Sequence, residues 1–291
     1  MARADGVAEQ NTVGVIGLGA MGLPIAGHLT RSRLAVTVHD TDATRSEAAA
    51  EHGCDVATDA AGVGARSAVT LVLVPTDDDV RAVCLDVLDR APGSTLVICS
   101  SVHPATIREI AAASAERPGH GGVLDAALTG GVRAAEDGRV NLLVGGESAA
   151  LARVRPALDP WCASVHHLGG LGAGQIAKSA NNLVHWAQIC AIEEALDLAR
   201  SHGLSVPAVR AALFDAPTDS RTLRELERMR LTWWAKDLAS VERLGHEIGR
   251  PMPVADMCRA RMPSITVGSL AELLVWEPTD DPTPEIRDST P

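Results

Sequence analysis

The residues whose types and spacing best suit chemistry are a lysine and an asparagine inside an apolar stretch. Lys178 lies among Ile176, Ala180 and Leu183, and Asn182 follows it by one helical turn. Side chains at positions i and i+4 share a helix face, so Lys178 and Asn182 can reach the same atom. Burying a lysine is costly unless it has partners or can give up its proton. A lone lysine near a helix end usually extends its charge to solvent, but the adjacent asparagine pair favours proton transfer.

A glycine-rich turn near the start of the chain has the residue types of a dinucleotide-binding loop. It lies between a strand pattern at residues 13–16 and a helical pattern, and it consists of Gly17, Leu18, Gly19, Ala20, Met21 and Gly22. The first glycine allows a sharp turn, the second lets the backbone approach a pyrophosphate, and the third lets the helix pack on the sheet. A helix that begins at Ala20 would direct its unpaired N–H groups towards the phosphates.

An acidic residue in the expected place supports this interpretation. Asp40 follows the strand pattern at residues 34–39, where a carboxylate can accept hydrogen bonds from the ribose hydroxyls. Glycine triplets also occur in ordinary turns, but strand, turn, helix, strand and acid together predict a dinucleotide site.

Two other motifs are ambiguous when taken alone. Thr129, Gly130 and Gly131 follow a strand-like run, and their backbone N–H groups and the threonine hydroxyl could bind an anion. An ordinary loop fits that motif equally well. Lys236 and Asp237 fall at the start of a helical pattern, where a surface ion pair is the simpler interpretation.

The first part of the chain alternates strand-like with helix-like segments, which predicts an α/β fold with a Rossmann-type doubly wound sheet. Short apolar or β-branched runs, typical of buried parallel strands, occupy residues 13–16, 34–39, 68–74 and 95–99. The helical patterns between them occupy residues 20–31, 43–52 and 78–90. Further strands are predicted at residues 123–126, 141–145 and 164–167.

The second part is predicted to be an all-α domain that begins with one long helix joining the domains. Residues 173–201 contain no proline and would span roughly 40 Å as a helix. Apolar residues lie on nearly all its sides, so we expect a homodimer or homotetramer formed through it and the later helices. Those later helical patterns occupy residues 206–214, 222–231, 235–248, 254–261 and 270–276.

These patterns predict a domain division. Residues 12–171 would form the dinucleotide-binding domain and residues 172–276 the helical domain for substrate and dimer contacts. The termini, residues 1–11 and 277–291, are polar and are predicted to be disordered.

The composition excludes several classes of function. A net charge of −11 disfavours nucleic acid as a partner, because phosphate binding needs a basic surface. The six cysteines show no C-x-x-C pair and no metal-ligand spacing, so we expect no metal site and a cytoplasmic location. No apolar run reaches the roughly 20 residues of a membrane helix, and the first residues lack the apolar core of a signal peptide. The absence of tyrosine excludes tyrosine-lysine chemistry.

Four motifs in this order resemble the β-hydroxyacid dehydrogenases, the family of 3-hydroxyisobutyrate dehydrogenase and tartronate semialdehyde reductase. They occupy residues 17–24, 125–131, 172–182 and 236–238. The resemblance covers roughly residues 12–275, and four ordered motifs make it specific. It implies a Rossmann domain followed by a C-terminal domain of the 6-phosphogluconate dehydrogenase type.

The resemblance also implies a role for each motif. Lys178 matches the catalytic acid/base, and Asn182 matches the residue that holds the reacting oxygen. The segment with Thr129, Gly130 and Gly131 matches the one that binds the substrate carboxylate. Other matching positions contact the coenzyme near its nicotinamide half, namely Val74, Pro75, Ser101 and Lys236.

The sequence departs from the family pattern at a few positions. In the anion loop Ala127 replaces a proline and Thr129 replaces a serine, which keeps the hydroxyl but leaves the substrate open. Members that use NADP tend to have Asn-Arg at the end of the second strand, where this chain has His39 and Asp40. A carboxylate repels a 2′-phosphate, so NAD is favoured, while Arg45 nearby keeps NADP possible.

We therefore predict an NAD(P)-dependent oxidoreductase that interconverts a small anionic 3-hydroxy acid and its carbonyl form by hydride transfer. An imine reductase is one alternative: such enzymes typically lack the lysine at Lys178, but the Trp233-Trp234 pair and the altered anion loop suit a bulkier, less anionic substrate. The other alternative is a non-catalytic nucleotide-binding scaffold that dimerises through the long helix. Such a scaffold would not need Lys178 and Asn182.

Overall fold

The structure is a computed structural model that describes residues 11–91, 93–117, 119 and 121–278. The chain divides into two compact units, residues 1–178 and 179–291. The predicted disordered segments, 1–11 and 277–291, lie almost wholly outside the described residues. The predicted domain boundary between residues 171 and 172 stays a prediction.

Unit 1 is built on one eight-stranded sheet. Its strands are β1 (Thr12–Ile16), β2 (Ala35–His39), β3 (Asp55–Val56), β4 (Val69–Val72), β5 (Thr95–Ile98), β6 (Val123–Thr129), β7 (Val140–Gly145) and β8 (Cys162–Gly169). They are arranged in the order β3-β2-β1-β4-β5-β6-β7-β8. The direction of strand order reverses between β1 and β4, as in other Rossmann-type sheets. The predicted fold class is confirmed.

The central strands form where the sequence is apolar or β-branched without interruption. Every residue of β4 and β5 is buried. Val97 belongs to one apolar cluster, whereas its neighbours Leu96 and Ile98 belong to another. Because successive side chains of a strand point to opposite faces, the sheet carries a core on each side.

The described helices ahead of residue 173 are α1 (Gly22–Arg31), α2 (Ala43–Glu51), α3 (Ala60–Gly64), α4 (Asp77–Arg90), α5 (Pro104–Ala115), α6 (Gly131–Glu136) and α7 (Ser148–Leu158). Four of them, α2 to α5, begin with a side chain that accepts a hydrogen bond from the first turn. Asp42 caps α2, Asp59 caps α3, and Thr76 forms a capping box with Asp79 at α4. These caps fix where the helices start relative to the strands before them.

One strand pairing differs from the prediction of a parallel sheet. β7 runs antiparallel to β6 and parallel to β8. The connection from β6 to β7 contains only the six-residue helix α6, which is too short for a crossover to a parallel neighbour. The chain therefore returns alongside β6. The elements that the sequence patterns did not indicate are short or follow polar segments: β3, α3, α5, α6 and α7.

Unit 2 is all-helical, as predicted. It begins within α8 (Ala173–Ser201), which has the predicted bounds, and the later helices are α9 (Val206–Phe214), α10 (Arg221–Arg224), α11 (Trp234–Glu247), α12 (Pro253–Arg261) and α13 (Val267–Leu274). Trp186, Ile189 and Leu196 of α8 form part of its apolar core. Among the described residues, no helix has both the length and the apolar character that a membrane crossing requires.

The prediction of one helix over residues 222–231 was wrong. α10 ends at Arg224, and a separate turn of 3-10 helix follows it. The guanidinium group of Arg210 donates hydrogen bonds to the carbonyl oxygens of Leu223 and Arg224. A side chain that occupies these carbonyls in the last turn favours termination of the helix.

The six cysteines are free thiols, and five of them are buried. Burial raises the pKa of Cys84 and of Cys99 to about 12. These thiols are therefore protonated at neutral pH and act as small apolar side chains of the core. The cytoplasmic location stays a prediction from the cysteine pattern.

Candidate active site

The glycine-rich loop joins β1 to α1 at the carboxyl ends of the parallel strands. Gly17 has a φ of +93°, and its N–H group donates a hydrogen bond to the carbonyl of His39 at 3.0 Å. The helix begins at Gly22, two residues later than predicted. A Cβ added to Gly19 would meet only Arg45 Nη1, at 4.0 Å, so the loop backbone can be approached closely here. This geometry fits the pyrophosphate of a dinucleotide beside the start of a helix.

Asp40 follows β2 and is held against this loop. Its Oδ2 accepts a hydrogen bond from the N–H group of Leu18 at 2.6 Å, and its Oδ1 accepts one from the N–H group of Asp42 at 2.8 Å. Arg45 Nη1 lies 3.6 Å from Oδ2. A carboxylate has about four lone-pair positions, so these contacts leave capacity for ribose hydroxyls. Asp40 thus also stabilises the loop, which the sequence did not indicate.

Of the residues predicted near the nicotinamide half, those of unit 1 follow the neighbouring strands β4 and β5. Val74 and Pro75 follow β4, and Ser101 follows β5. Val74 packs closely on the loop, since a Cβ added to Gly17 would lie 3.2 Å from Val74 Cγ1. β1, β4 and β5 are parallel neighbours, so their carboxyl ends meet at one edge, where dinucleotides bind in such sheets.

One row of paired residues crosses the sheet at this edge. Ile16, Val72 and Ile98, which end β1, β4 and β5, are in register with one another, and Ile98 is in register with Asp125 of β6. β6 continues past this row to Thr129. The turn predicted to bind an anion, which follows β6, therefore lies further along the strand direction than the ends of β1, β4 and β5.

The anion turn has the backbone that its two glycines require. Gly130 has a φ of +107° and Gly131 a φ of +70°, a region that residues with a side chain rarely adopt. Thr129 is half-buried, and its hydroxyl donates a weak hydrogen bond to the carbonyl of Asn141 at 3.4 Å. The predicted donors, two glycine N–H groups and one hydroxyl, are close together in sequence at this turn.

The lysine and asparagine of the first prediction lie one turn apart on α8. Lys178 is half-buried and is the last residue of unit 1, whereas Asn182 is buried and belongs to unit 2. Asn181 Nδ2 donates a hydrogen bond to Asn182 Oδ1 at 3.3 Å. This contact orients the Asn182 amide.

Asp125 of β6 and Gln175 of α8 are two polar residues that had no predicted role, and they meet at the start of α8. Asp125 Oδ1 accepts a hydrogen bond from the N–H group of Gly172 at 2.7 Å, and its Oδ2 accepts one from that of Gln175 at 3.1 Å. Burial raises the pKa of the Asp125 carboxyl, while the backbone N–H groups act in the opposite direction. The available signal was an acidic residue inside a strand that is otherwise apolar.

Asp237 has a structural partner in unit 2, beyond the surface ion pair that the sequence suggested. Its Oδ2 accepts a hydrogen bond from the indole N–H of Trp186 at 3.0 Å, and Trp186 is buried in the helical core. The bond joins the first turn of α11 to α8. It therefore fixes the position of the exposed Lys236 within this unit.

The structure thus distributes the predicted site residues over two units. Unit 1 holds the glycine-rich loop, Asp40, the nicotinamide-side residues, the anion turn and Lys178, and unit 2 holds Asn182 and Lys236. Within the described part of the chain, no group of three or more His, Cys, Asp or Glu side chains could hold a metal ion.

Two family models match the chain. The model of the NAD-binding domain of 6-phosphogluconate dehydrogenase matches residues 12–169. The model of the NAD-binding domain of NADP-dependent 3-hydroxyisobutyrate dehydrogenase matches residues 172–272. Together they cover the strands, the anion turn and α8 with its continuation into unit 2.

Known proteins agree with these matches. A Mycobacterium bovis protein named "Probable 3-hydroxyisobutyrate dehydrogenase" is 38% identical over 208 residues, which is 71% of this chain and 69% of the relative. The structure of Mycobacterium tuberculosis 3-hydroxyisobutyrate dehydrogenase with L-serine has a TM-score of 0.80 at 27% identity, covering 91% of this chain and 96% of that one. An imine reductase from Myxococcus stipitatus in complex with NAD+ has a TM-score of 0.65 over 91% and 96% of the two chains, but at 21% identity it shows the fold alone.

Proposed function

Because the chain belongs to the β-hydroxyacid dehydrogenase family of NAD(P)-dependent oxidoreductases, we propose that it oxidises a small 3-hydroxy acid, or reduces the matching carbonyl acid, with Lys178 as general acid/base. The supporting observation is the common edge of unit 1. There the carboxyl ends of β1, β4 and β5 carry the predicted coenzyme loops, and the same row contains Asp125, which binds the start of the Lys178 helix.

The lysine content of the chain also supports an acid/base role for Lys178. Lys178 and Lys236 are the two lysines of the chain, and its other cationic side chains are 24 arginines. Arginine stays charged in proteins, whereas a lysine can lose its proton in a suitable environment. A sequence that uses arginine almost everywhere keeps lysine at the two positions that the family motifs assign to the site.

The proposed proton path uses the face of α8 that carries Lys178 and Asn182. In oxidation Lys178 Nζ accepts the proton of the substrate hydroxyl while Asn182 holds the oxygen, and the carbonyl double bond forms as hydride leaves the carbinol carbon. A bound nicotinamide supplies the hydride acceptor in this direction and the donor in the other. In reduction Lys178 returns the proton to the developing alkoxide.

The anion turn gives the substrate a second point of attachment. The N–H groups of Gly130 and Gly131 and the hydroxyl of Thr129 would bind the substrate carboxylate. A carboxylate fixed there, with the hydroxyl fixed at Lys178, orients the carbinol carbon and converts binding energy into rate. Thr129 keeps the hydroxyl group that a serine would supply, so the turn retains its side-chain donor.

The experiment that tests this function is a substrate panel with purified protein. 3-Hydroxyisobutyrate, L-serine, other 3-hydroxy acids, simple alcohols and cyclic amines are supplied with NAD or NADP, and nicotinamide reduction is followed by absorbance. We expect turnover with one or more of the 3-hydroxy acids. Turnover confined to amines would replace the proposal with an imine reductase, and coenzyme binding without turnover of any compound would favour a scaffold.

Coenzyme preference is proposed to depend on Asp40, with NAD favoured. Asp40→Ala is expected to narrow the ratio of kcat/KM for NAD over NADP by about tenfold, because it removes both a ribose acceptor and a charge that repels a 2′-phosphate. Arg45→Ala is the matched control: it keeps Asp40 and should weaken NADP more than NAD. An unchanged ratio in Asp40→Ala would place ribose recognition elsewhere.

We also propose that the protein forms a homodimer or homotetramer through α8 and the later helices. Val184, Ala191 and Leu198 are exposed and recur every seven residues, so they form an apolar stripe along one face of α8. A face of this kind is favourable when a second surface covers it. Elution of the purified protein as a monomer at micromolar concentration would contradict this proposal.

A further inference from the structure

Two buried polar residues, Asp125 and Gln175, connect three segments of unit 1. We propose that they are positioning residues for hydride transfer, which hold the Lys178 helix and the Ser101 loop at a fixed spacing. The proposal rests on the proposed function, because it assumes that Lys178 moves the substrate proton.

Asp125 attaches the start of α8 to β6. Its side chain is fully buried, and its two oxygens accept hydrogen bonds from the N–H groups of Gly172 and Gln175. N–H groups at the start of a helix have no partner within the helix, and a negative charge is favourable there. Asp125 therefore acts as a helix cap supplied by a distant strand, so the helix start is fixed to the sheet itself.

The packing around Asp125 leaves this helix start little freedom to slide. A Cβ added to Gly174 would collide with the carbonyl oxygen of Leu143 and would lie 2.7 Å from Asp125 Oδ2. The first turn of α8 thus lies directly on β6 and β7, at a distance that only glycine permits. Lys178 follows Gly174 by one helical turn, so its backbone position is set by the same contact.

Gln175 connects this helix start to the loop after β5. Its Nε2 donates a hydrogen bond to the carbonyl of Ser100 at 2.9 Å, and its Oε1 accepts one from the N–H group of Val102 at 3.1 Å. Both ends of the buried amide are used, which fixes its orientation. The two bonds hold the backbone on either side of Ser101, the residue predicted to line the nicotinamide half.

The two residues together define a distance that the reaction depends on. Ser101 belongs to the hydride side of the proposed site and Lys178 to the proton side, and they are linked through Gln175, three residues before Lys178 on α8. A misplacement of about 1 Å can lower a rate by about 100-fold, because reacting groups must be aligned. Loss of the Gln175 amide should therefore slow the chemical step more than it weakens coenzyme binding.

The test uses Gln175→Met, which keeps the length of the side chain but removes both hydrogen bonds. We expect kcat to fall by about 10–100-fold, while the Kd for coenzyme changes little. We also expect a larger deuterium isotope effect on kcat with substrate deuterated at the carbinol carbon, because hydride transfer becomes more strongly rate-limiting. Gln175→Asn keeps the amide but is one carbon too short to span the gap, so it should change both quantities in the same direction.

Thr70→Val is the matched control for the loss of a buried hydrogen bond. Thr70 of β4 and Ser94, which directly precedes β5, are both buried, and their hydroxyl oxygens lie 2.7 Å apart. Neither residue belongs to the row that contains Asp125. This variant should lower Tm to a similar extent and leave kcat and the isotope effect unchanged.

The outcomes separate this proposal from the proposed function. Turnover per folded molecule and an isotope effect equal to wild type in both Gln175 variants would overturn the positioning role, even if Lys178→Ala is inactive. Wild-type protein without turnover of any 3-hydroxy acid, or an active Lys178→Ala, would instead overturn the proposed function. If Gln175→Met does not fold, kcat and the isotope effect of Gln175→Asn decide the question.

Discussion

Lys178→Ala is expected to lower kcat for 3-hydroxy acid oxidation by about 10²–10⁴-fold, the usual contribution of a positioned acid/base. Without the amine, the proposed acceptor of the hydroxyl proton is lost as the carbonyl forms. Coenzyme binding should persist, since the pyrophosphate and ribose are proposed to bind at the glycine-rich loop and Asp40. The decisive comparison is kcat against the Kd for NAD, measured by quenching of tryptophan fluorescence.

Lys178→Arg controls for charge and length. Arginine keeps the positive charge and can extend it to solvent, but it cannot give up its proton near neutral pH. If Lys178 acts in proton transfer, the arginine variant should be nearly as inactive as the alanine variant. If Lys178 only extends its charge to solvent near a helix end, Lys178→Arg should turn over substrate at nearly the wild-type rate. The acid/base assignment would then be wrong.

Gly19→Ala is expected to leave the fold intact and to raise the Kd for both coenzymes on the order of 10–100-fold, about 1.4–2.8 kcal/mol. The added methyl group would meet only the end of the flexible Arg45 side chain, at 4.0 Å, so the protein alone can accommodate it. A pyrophosphate that approaches the loop backbone cannot, because the methyl group occupies the space that it needs. Titration of the coenzyme and a thermal melt test this pair of expectations.

Gly22→Ala is the contrasting variant, because we expect it to lower the stability of the protein itself. The added methyl group would collide with the carbonyl oxygen of Gly17, so the turn and the first residue of α1 must move apart. We expect a loss of about 1–3 kcal/mol in the free energy of unfolding, as for other overpacked sites. Equal stability of the two variants would show that the third glycine is not needed for helix packing. A normal Kd for coenzyme in Gly19→Ala would place the pyrophosphate away from this loop.

The parts of the fold that could be predicted are those with a long or regular pattern. The strands β1, β4 and β5 are unbroken apolar or β-branched runs, and α8 is a stretch of 29 residues without proline. Local sequence determines such elements, because each residue favours the same conformation as its neighbours. The Rossmann-type architecture follows from their alternation.

The direction of β7 and the end of α10 depend on contacts that a local pattern does not contain. The β6–β7 connection is short because α6 is only six residues long, and its own sequence shows no apolar stripe. α10 ends where Arg210, from a different helix, takes the carbonyls of its last turn. Both features arise from tertiary structure, which overrides local propensity.

The same limit applies to the candidate site. The glycines and Lys178 could be singled out because their residue types are unusual for their surroundings. Asp125 and Gln175 were not assigned a role, since their partners lie 47 to 75 residues away in sequence and become visible only when β6, the Ser101 loop and α8 are brought together. A buried carboxylate in a strand shows that a partner must exist, but it does not show which one.

The most direct test of the central claim uses the fact that the chain has two lysines. Protein with isotope-labelled lysine should give two side-chain amine signals by NMR, and Lys178→Arg assigns one of them. We expect the protonation of the Lys178 amine, measured with NAD bound, to follow the same pH midpoint as kcat/KM for the hydroxy acid at saturating NAD, because both report on the enzyme with coenzyme alone bound. Lys178→Arg should abolish that dependence. A pH profile of kcat/KM that is unchanged in Lys178→Arg, or a Lys178 signal whose titration is unrelated to kcat/KM, would contradict the account.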